Sequence, residues 1–134
     1  MSPPPVVVLV AKAFQRPDIP RARQEVKALL EAGYRVYVLA WDRDAEFPAL
    51  ENVDGAMVRS LSPVNLTEFS RLRLALGGMI FQTLLIFETV KLISKLRQRP
   101  IVHAHDINTL LLACFLKMLR LCSALVYDCR EFTY

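Results

Sequence analysis

The sequence predicts an α/β domain built on a doubly wound parallel sheet, and three observations lead there. Short apolar runs rich in β-branched residues, such as Val6 to Val10 and Ile101 to Ala104, alternate with segments of helical spacing. The order strand, helix, strand, strand, helix, strand, helix, strand is that of a sheet with right-handed crossovers, and strand order 3-2-1-4-5 follows from it. The last two strands end in polar clusters, His105-Asp106-Ile107-Asn108-Thr109 and Asp128-Cys129-Arg130-Glu131. In open parallel sheets, ligands bind outside those carboxyl ends.

Val6 to Val10, preceded by three prolines, is continuously apolar, as a strand buried on both faces should be. A helix over Arg21 to Ala32 places Val26, Leu29 and Leu30 at helical spacing and stops at Gly33. Arg35 to Trp41 is the second strand, and Asp42-Arg43-Asp44 begins a loop. Phe47 to Gly55 reads as polar and turn-rich, and Ala56 to Leu61 as a short third strand. A long helix from about Thr67 to Arg97 should be interrupted near Gly77-Gly78. Ile101 to His105, a helix over Asn108 to Leu121, and a strand over Ala124 to Tyr127 complete the series.

At 134 residues the chain has room for one domain and one core, residues 1–134 together. Hydrophobic residues are 54% and charged residues 22%, a balance that excludes general disorder. The net charge of +4 is mild and contains no long basic run, so no nucleic-acid partner is expected. Cys114, Cys122 and Cys129 lack CxxC spacing, which fits reduced thiols in a cytoplasmic setting, with Cys114 and Cys122 expected at or near the core. The loop after the first strand, Ala11-Lys12-Ala13-Phe14-Gln15-Arg16, has no GxGxxG, so neither a dinucleotide nor any other cofactor is expected. Leu74 to Phe87 is uncharged but falls short of the ~20 apolar residues of a membrane span. It reads as a helix packed on the sheet or as a surface touching lipid. Arg71 and Arg73 before it, and Lys95, Arg97 and Arg99 after it, would suit an anionic bilayer.

Four pieces of the chain, in this order, resemble the amino-terminal half of GT-B glycosyltransferases of family 4: Asp18 to Glu25 with its arginines, Leu30 to Trp41 with its "EAGY" turn, the "HAHD" run and its continuation to Leu112, and Leu125 to Glu131 with "YDxxE". The resemblance implies a Rossmann-like domain that forms one half of the GT-B architecture. It also implies transfer of a sugar from a nucleotide donor to an acceptor hydroxyl with retention of configuration. The family's second, carboxyl-terminal domain holds the nucleotide and carries two glutamates eight positions apart. No glutamate pair here has that separation, so the donor domain is expected to lie outside this chain and the chain alone to be inactive.

By the same resemblance, His105 corresponds to the family's active-site histidine, with Asp106, Asn108 and Thr109 at the start of the next helix as substrate contacts. A helix amino terminus can bind sugar hydroxyls or phosphate oxygens, although Asp106 or Asn108 can equally serve as its cap. His103 shares a strand face with His105 and reads as a buried, hydrogen-bonded histidine. Lys12, Asp18 and Arg21 follow the first strand and either meet an anionic acceptor or are simply solvated. Asp128, Arg130 and Glu131 complete the candidate set. Family members often carry histidine where this chain has Arg130, and a fixed charge there favours a phosphate or carboxylate acceptor.

The expected partners are thus a nucleotide-sugar donor, held by a further domain, and an acceptor glycan or lipid. An anionic membrane surface on the cytoplasmic side and self-association through the edge of the last strand are further expectations. Two rivals stand beside this reading. His103-x-His105 with Asp106 and Asp128 could supply zinc ligands for a hydrolase, although the chain has only those two histidines and no metal is expected. A non-catalytic scaffold that binds a partner chain or a membrane is the other.

Overall fold

The computed structural model describes residues 2–12, 20–42, 45–62, 71–105 and 107–128; for Ala11, Lys12, Pro20, Arg21, residues 71–75, Gly77, Ile107 and Asn108 it describes the backbone alone. Nine elements stand in order: β1 (Val6–Lys12), α1 (Pro20–Glu31), β2 (Arg35–Trp41), β3 (Leu50–Val53), β4 (Ala56–Leu61), α2 (Arg71–Leu96), β5 (Ile101–His105), α3 (Ile107–Met118) and β6 (Ala124–Asp128). The sheet order is β3-β4-β2-β1-β5-β6. All pairings are parallel except β3 with β4. The five expected strands therefore stand in the expected order, with one more at the edge.

That extra strand corrects the reading of Phe47 to Gly55 as turn alone. Val53 and Ala56 face each other across Asp54-Gly55, both at positive φ (53° and 97°), the backbone of a two-residue hairpin turn. Asn52 Oδ1 accepts from the Gly55 amide at 3.0 Å and fixes the turn. A second correction concerns α2, which runs unbroken through Gly77 and Gly78. Each glycine costs ~1 kcal/mol against alanine in a helix interior. A helix of this length, with Phe81 and Leu85 anchored in the core, carries that cost. The expected stop at Gly33 is present: Gly33 has φ 86°, its amide donates to Leu30, and the Tyr34 amide donates to Leu29.

The alternation of side chains along each strand divides the core into two layers. Val6, Val8 and Val10 of β1, Leu39 of β2 and Val102 of β5 point to the face covered by α2 and α3, where Phe81, Leu85, Leu112 and Leu116 meet them. Leu9, Val36, Val38, Ala40 and Val58 point to the other face, where Ala22 and Val26 of α1 cover them. Cys122 is buried in the first layer as expected, whereas Cys114 is exposed, on the outer side of α3, contrary to its expected place near the core. Leu9 is fully buried at the centre of the sheet. Leu9→Ala should lower the unfolding free energy by about 2–5 kcal/mol in urea titrations, the usual cost of a core cavity.

Candidate functional site

β5 differs from its neighbours on the α1 face. Where β1 and β2 present aliphatic groups, β5 presents His103 and His105, two positions apart and so on one side of the sheet. Their rings stack with centroids 4.3 Å apart and planes inclined by 23°. α1 answers them with a carboxylate. Ala22, Val26 and Leu29 form its inward stripe, and Glu25 falls within that stripe instead of on the solvent side. Its Oε1 contacts Nδ1 of His103, and its Oε2 lies 3.2 Å from Nε2 of His105.

The other ring nitrogen of His105, Nδ1, is 3.4 Å from Oδ2 of Asp128. Asp128 is the register partner of His105 at the end of β6. His105 is thus held between two carboxylates from two different elements and is almost fully buried, with 2% of its side chain exposed. Asp128, at 36% exposed, is the more accessible of its carboxylate neighbours. Thr109 closes the turn into α3: it is buried, and its hydroxyl donates to the His105 carbonyl at 2.6 Å. The strand tip and the first turn of the helix are tied together by that bond.

Burial would raise the pKa of Glu25, but the hydrogen bonds and charges of His103 and His105 outweigh it and hold the carboxyl at about 2, against 4.5 for a free one. A carboxyl lowered in the folded state stabilises the fold above its unfolded pKa, and the contribution is lost as the pH falls through the folded value. Acid unfolding should therefore show a Glu25 component between about pH 4.5 and 2. Urea midpoints of the wild type, taken with a chelator present, should fall more steeply across that window than those of Glu25→Gln. Parallel curves would show that Glu25 is not ionised against the histidines.

Of the residues singled out in the sequence, the structure brings His105, Asp128 and Thr109 together. Lys12 ends β1, Arg21 lies in the first turn of α1, and Asn108 lies in the first turn of α3, each placed by its backbone. Asp18, Asp106, Arg130 and Glu131 lie outside the described residues, as does Cys129. Glu25 is the residue sequence reasoning missed. Its signal was a charged side chain at a core-facing position of an amphipathic helix, opposite a strand that carries two histidines on one face.

Glu25, His103 and His105 also offer one donor atom each within 4.8 Å of one another, a set of nitrogen and oxygen ligands that a divalent cation could use. A shallow pocket of about 220 Å³ lies elsewhere, between α2 and the β2–β4 side of the sheet, lined by Tyr37, Met57, Arg59, Glu88, Lys91 and Leu92 among others. It does not touch the histidines.

No family model and no curated protein matches the chain. Solved structures do. A sucrose-phosphate synthase fragment from Thermosynechococcus elongatus superposes with a TM-score of 0.60 at 16% identity, over 94% of this chain and 64% of that one. The α,α-trehalose-phosphate synthase (UDP-forming) of Burkholderia vietnamiensis gives 0.56 at 15%, over 92% and 32%. The E. coli trehalose-6-phosphate protein solved with UDP-2-fluoro glucose gives 0.56 at 19%, over 91% and 32%. These neighbours are GT-B glycosyltransferases.

The chain has the fold of a GT-B half. The match is to the Rossmann-like part of these proteins, and the chain spans about a third of the length of the complete synthases, 32%. At these identities the likeness establishes the fold. Among the described residues, no helix is long and apolar enough to cross a membrane.

Proposed function

We propose that the chain is the acceptor-side half of a retaining GT-B glycosyltransferase of family 4 type, moving a sugar from a nucleotide donor to an acceptor hydroxyl on a lipid or glycan. A second, carboxyl-terminal domain would hold the donor. The observation that carries the reading is the position of His105: the last residue of β5, at the carboxyl edge of a parallel sheet, in a fold shared with glycosyltransferases. An imidazole N–H there can donate to a sugar hydroxyl or to a phosphate oxygen as charge builds on the leaving nucleotide. Glu25 fixes the ring through His103 and directly, which makes it a positioning residue. For a sugar to meet the ring, Asp128 has to give way, since it covers Nδ1 from the more exposed side.

The test is release of nucleoside diphosphate from a panel of UDP-, GDP- and ADP-sugars by the protein that contains this chain and the residues beyond it. Release coupled to a glycosylated product supports the reading; no release from any donor, in the presence of lipid and glycan extracts, removes it.

One observation favours a second reading. The three donor atoms of Glu25, His103 and His105 make a divalent metal site conceivable on rigid elements, as a hydrolase would need. Zinc titration followed by calorimetry separates the two. Micromolar binding abolished by His103→Ala supports the metal; absence of heat leaves the three side chains as a hydrogen-bonded clamp.

A further inference from the structure

The α2–α3 layer combines a basic sequence with a run of exposed apolar side chains. Residues 71–99 and 107–120 contain eight basic side chains and one acidic one, whereas the remainder of the chain holds nine basic and twelve acidic. The single acid, Glu88, is 17% exposed and shared between Arg59 at 3.5 Å and Lys91 at 4.0 Å, so of the layer's basic residues it faces Lys91. Among the described side chains of this layer, Lys91, Lys95, Arg97, Arg99, Lys117 and Arg120 are exposed, so the mild net charge of the whole chain hides a basic layer beside a slightly acidic remainder.

The same layer exposes large apolar groups in a pattern. Leu76, Met79, Ile80 and Phe87, exposed by 47, 68, 42 and 61%, recur at spacings of three, four and seven on the side of α2 away from the core. Farther along that side the stripe turns polar, with Lys91, Ser94 and Lys95 exposed. α3 adds Leu111 and Met118, at 64 and 78%, with Lys117 and Arg120 exposed near its end. Apolar groups left in water on both helices of one layer mark a contact surface.

We infer that this layer docks the protein on an anionic lipid bilayer. The charge decides the occupant: an anionic surface attracts a face of this sign, and the apolar stripe enters the boundary between headgroups and acyl chains. A nucleic acid would use the charge and leave the stripe wet. The docking also has an orientation. α2 leaves the carboxyl end of β4 and returns to the amino end of β5, so its apolar first half flanks the edge of the sheet that carries His105. Trp41, the last residue of β2, stacks on Phe81 at 4.7 Å and marks that level. This inference rests on exposure and charge and goes beyond the transfer reading without depending on it.

Flotation of the 134-residue chain with vesicles tests it, using phosphatidylcholine alone or mixed with phosphatidylglycerol. The chain should float with the mixed vesicles, and salt should release it in part. Met79→Glu/Phe87→Glu and, separately, Lys95→Glu/Lys117→Glu should each weaken apparent affinity by at least about tenfold. All four positions are on the surface, and circular dichroism checks that the variants are folded. Equal flotation with both vesicle types, no flotation, or a soluble oligomer whose assembly the Met79/Phe87 variant disrupts while lipid does nothing would each overturn the inference. Vesicle binding without sugar transfer by the longer protein would leave docking standing and remove the transferase reading; transfer without vesicle binding would do the reverse.

Discussion

On the proposed glycosyltransferase reading, His105→Ala should lower the rate of sugar transfer by about 10²-fold or more, the usual loss when a hydrogen-bond donor aimed at developing charge is removed. His103→Ala costs less, because His103 reaches the edge only through its stack on His105 and its shared bond to Glu25. Glu25→Gln falls between the two. Glutamine keeps the shape but loses the charge that faces both rings, so kcat should drop while KM for the donor barely moves. Single-turnover rates with donor saturating, on variants with unchanged far-ultraviolet spectra, give the three values. Equal and small losses from His105→Ala and His103→Ala would take His105 out of the chemistry and leave it a core histidine.

The second large effect the proposal predicts is for the chain by itself: purified, it should show no measurable transfer, whereas a protein that joins it to a donor-binding domain should turn over. Catalysis across a two-domain cleft depends on holding donor and acceptor in one geometry, and that organisation is worth effective molarities of roughly 10⁵–10⁸ M. On the proposed reading the donor-binding groups belong to the other half, so this chain by itself would have no means of supplying that organisation. Robust transfer by the 134-residue chain alone would show that the donor site is contained within it.

The sheet was legible in the sequence because its strands are buried on both faces and therefore read as continuous apolar runs, Val6 to Val10 most plainly. β3 was harder to see. It is a short edge strand with Leu50 exposed, so the core imposes no pattern on it. The Asp54-Gly55 pair is nonetheless a hairpin signal in its own right. The continuity of α2 was hidden for the opposite reason: local propensity at Gly77-Gly78 argues for a break, and packing of the helix on the sheet overrides it.

At the site, His105 and Asp128 were legible because each ends a recognisable strand, and parallel register then makes them neighbours. Glu25 was not, since its partners lie some eighty residues away and nothing local says which side of α1 meets β5. The fate of Thr109 was hidden in the same way. Its side chain, expected among substrate contacts, is buried and bonded back to the strand.

The measurement that bears most directly on the account is a crystal structure of the complete protein with a nucleotide-sugar analogue bound. It should place a ring nitrogen of His105 within hydrogen-bond reach of the transferred sugar or its phosphate, about 2.6–3.2 Å, with Asp128 displaced from the ring. A donor seated away from the carboxyl edge of β5, with His105 still enclosed by Glu25 and Asp128, would contradict it.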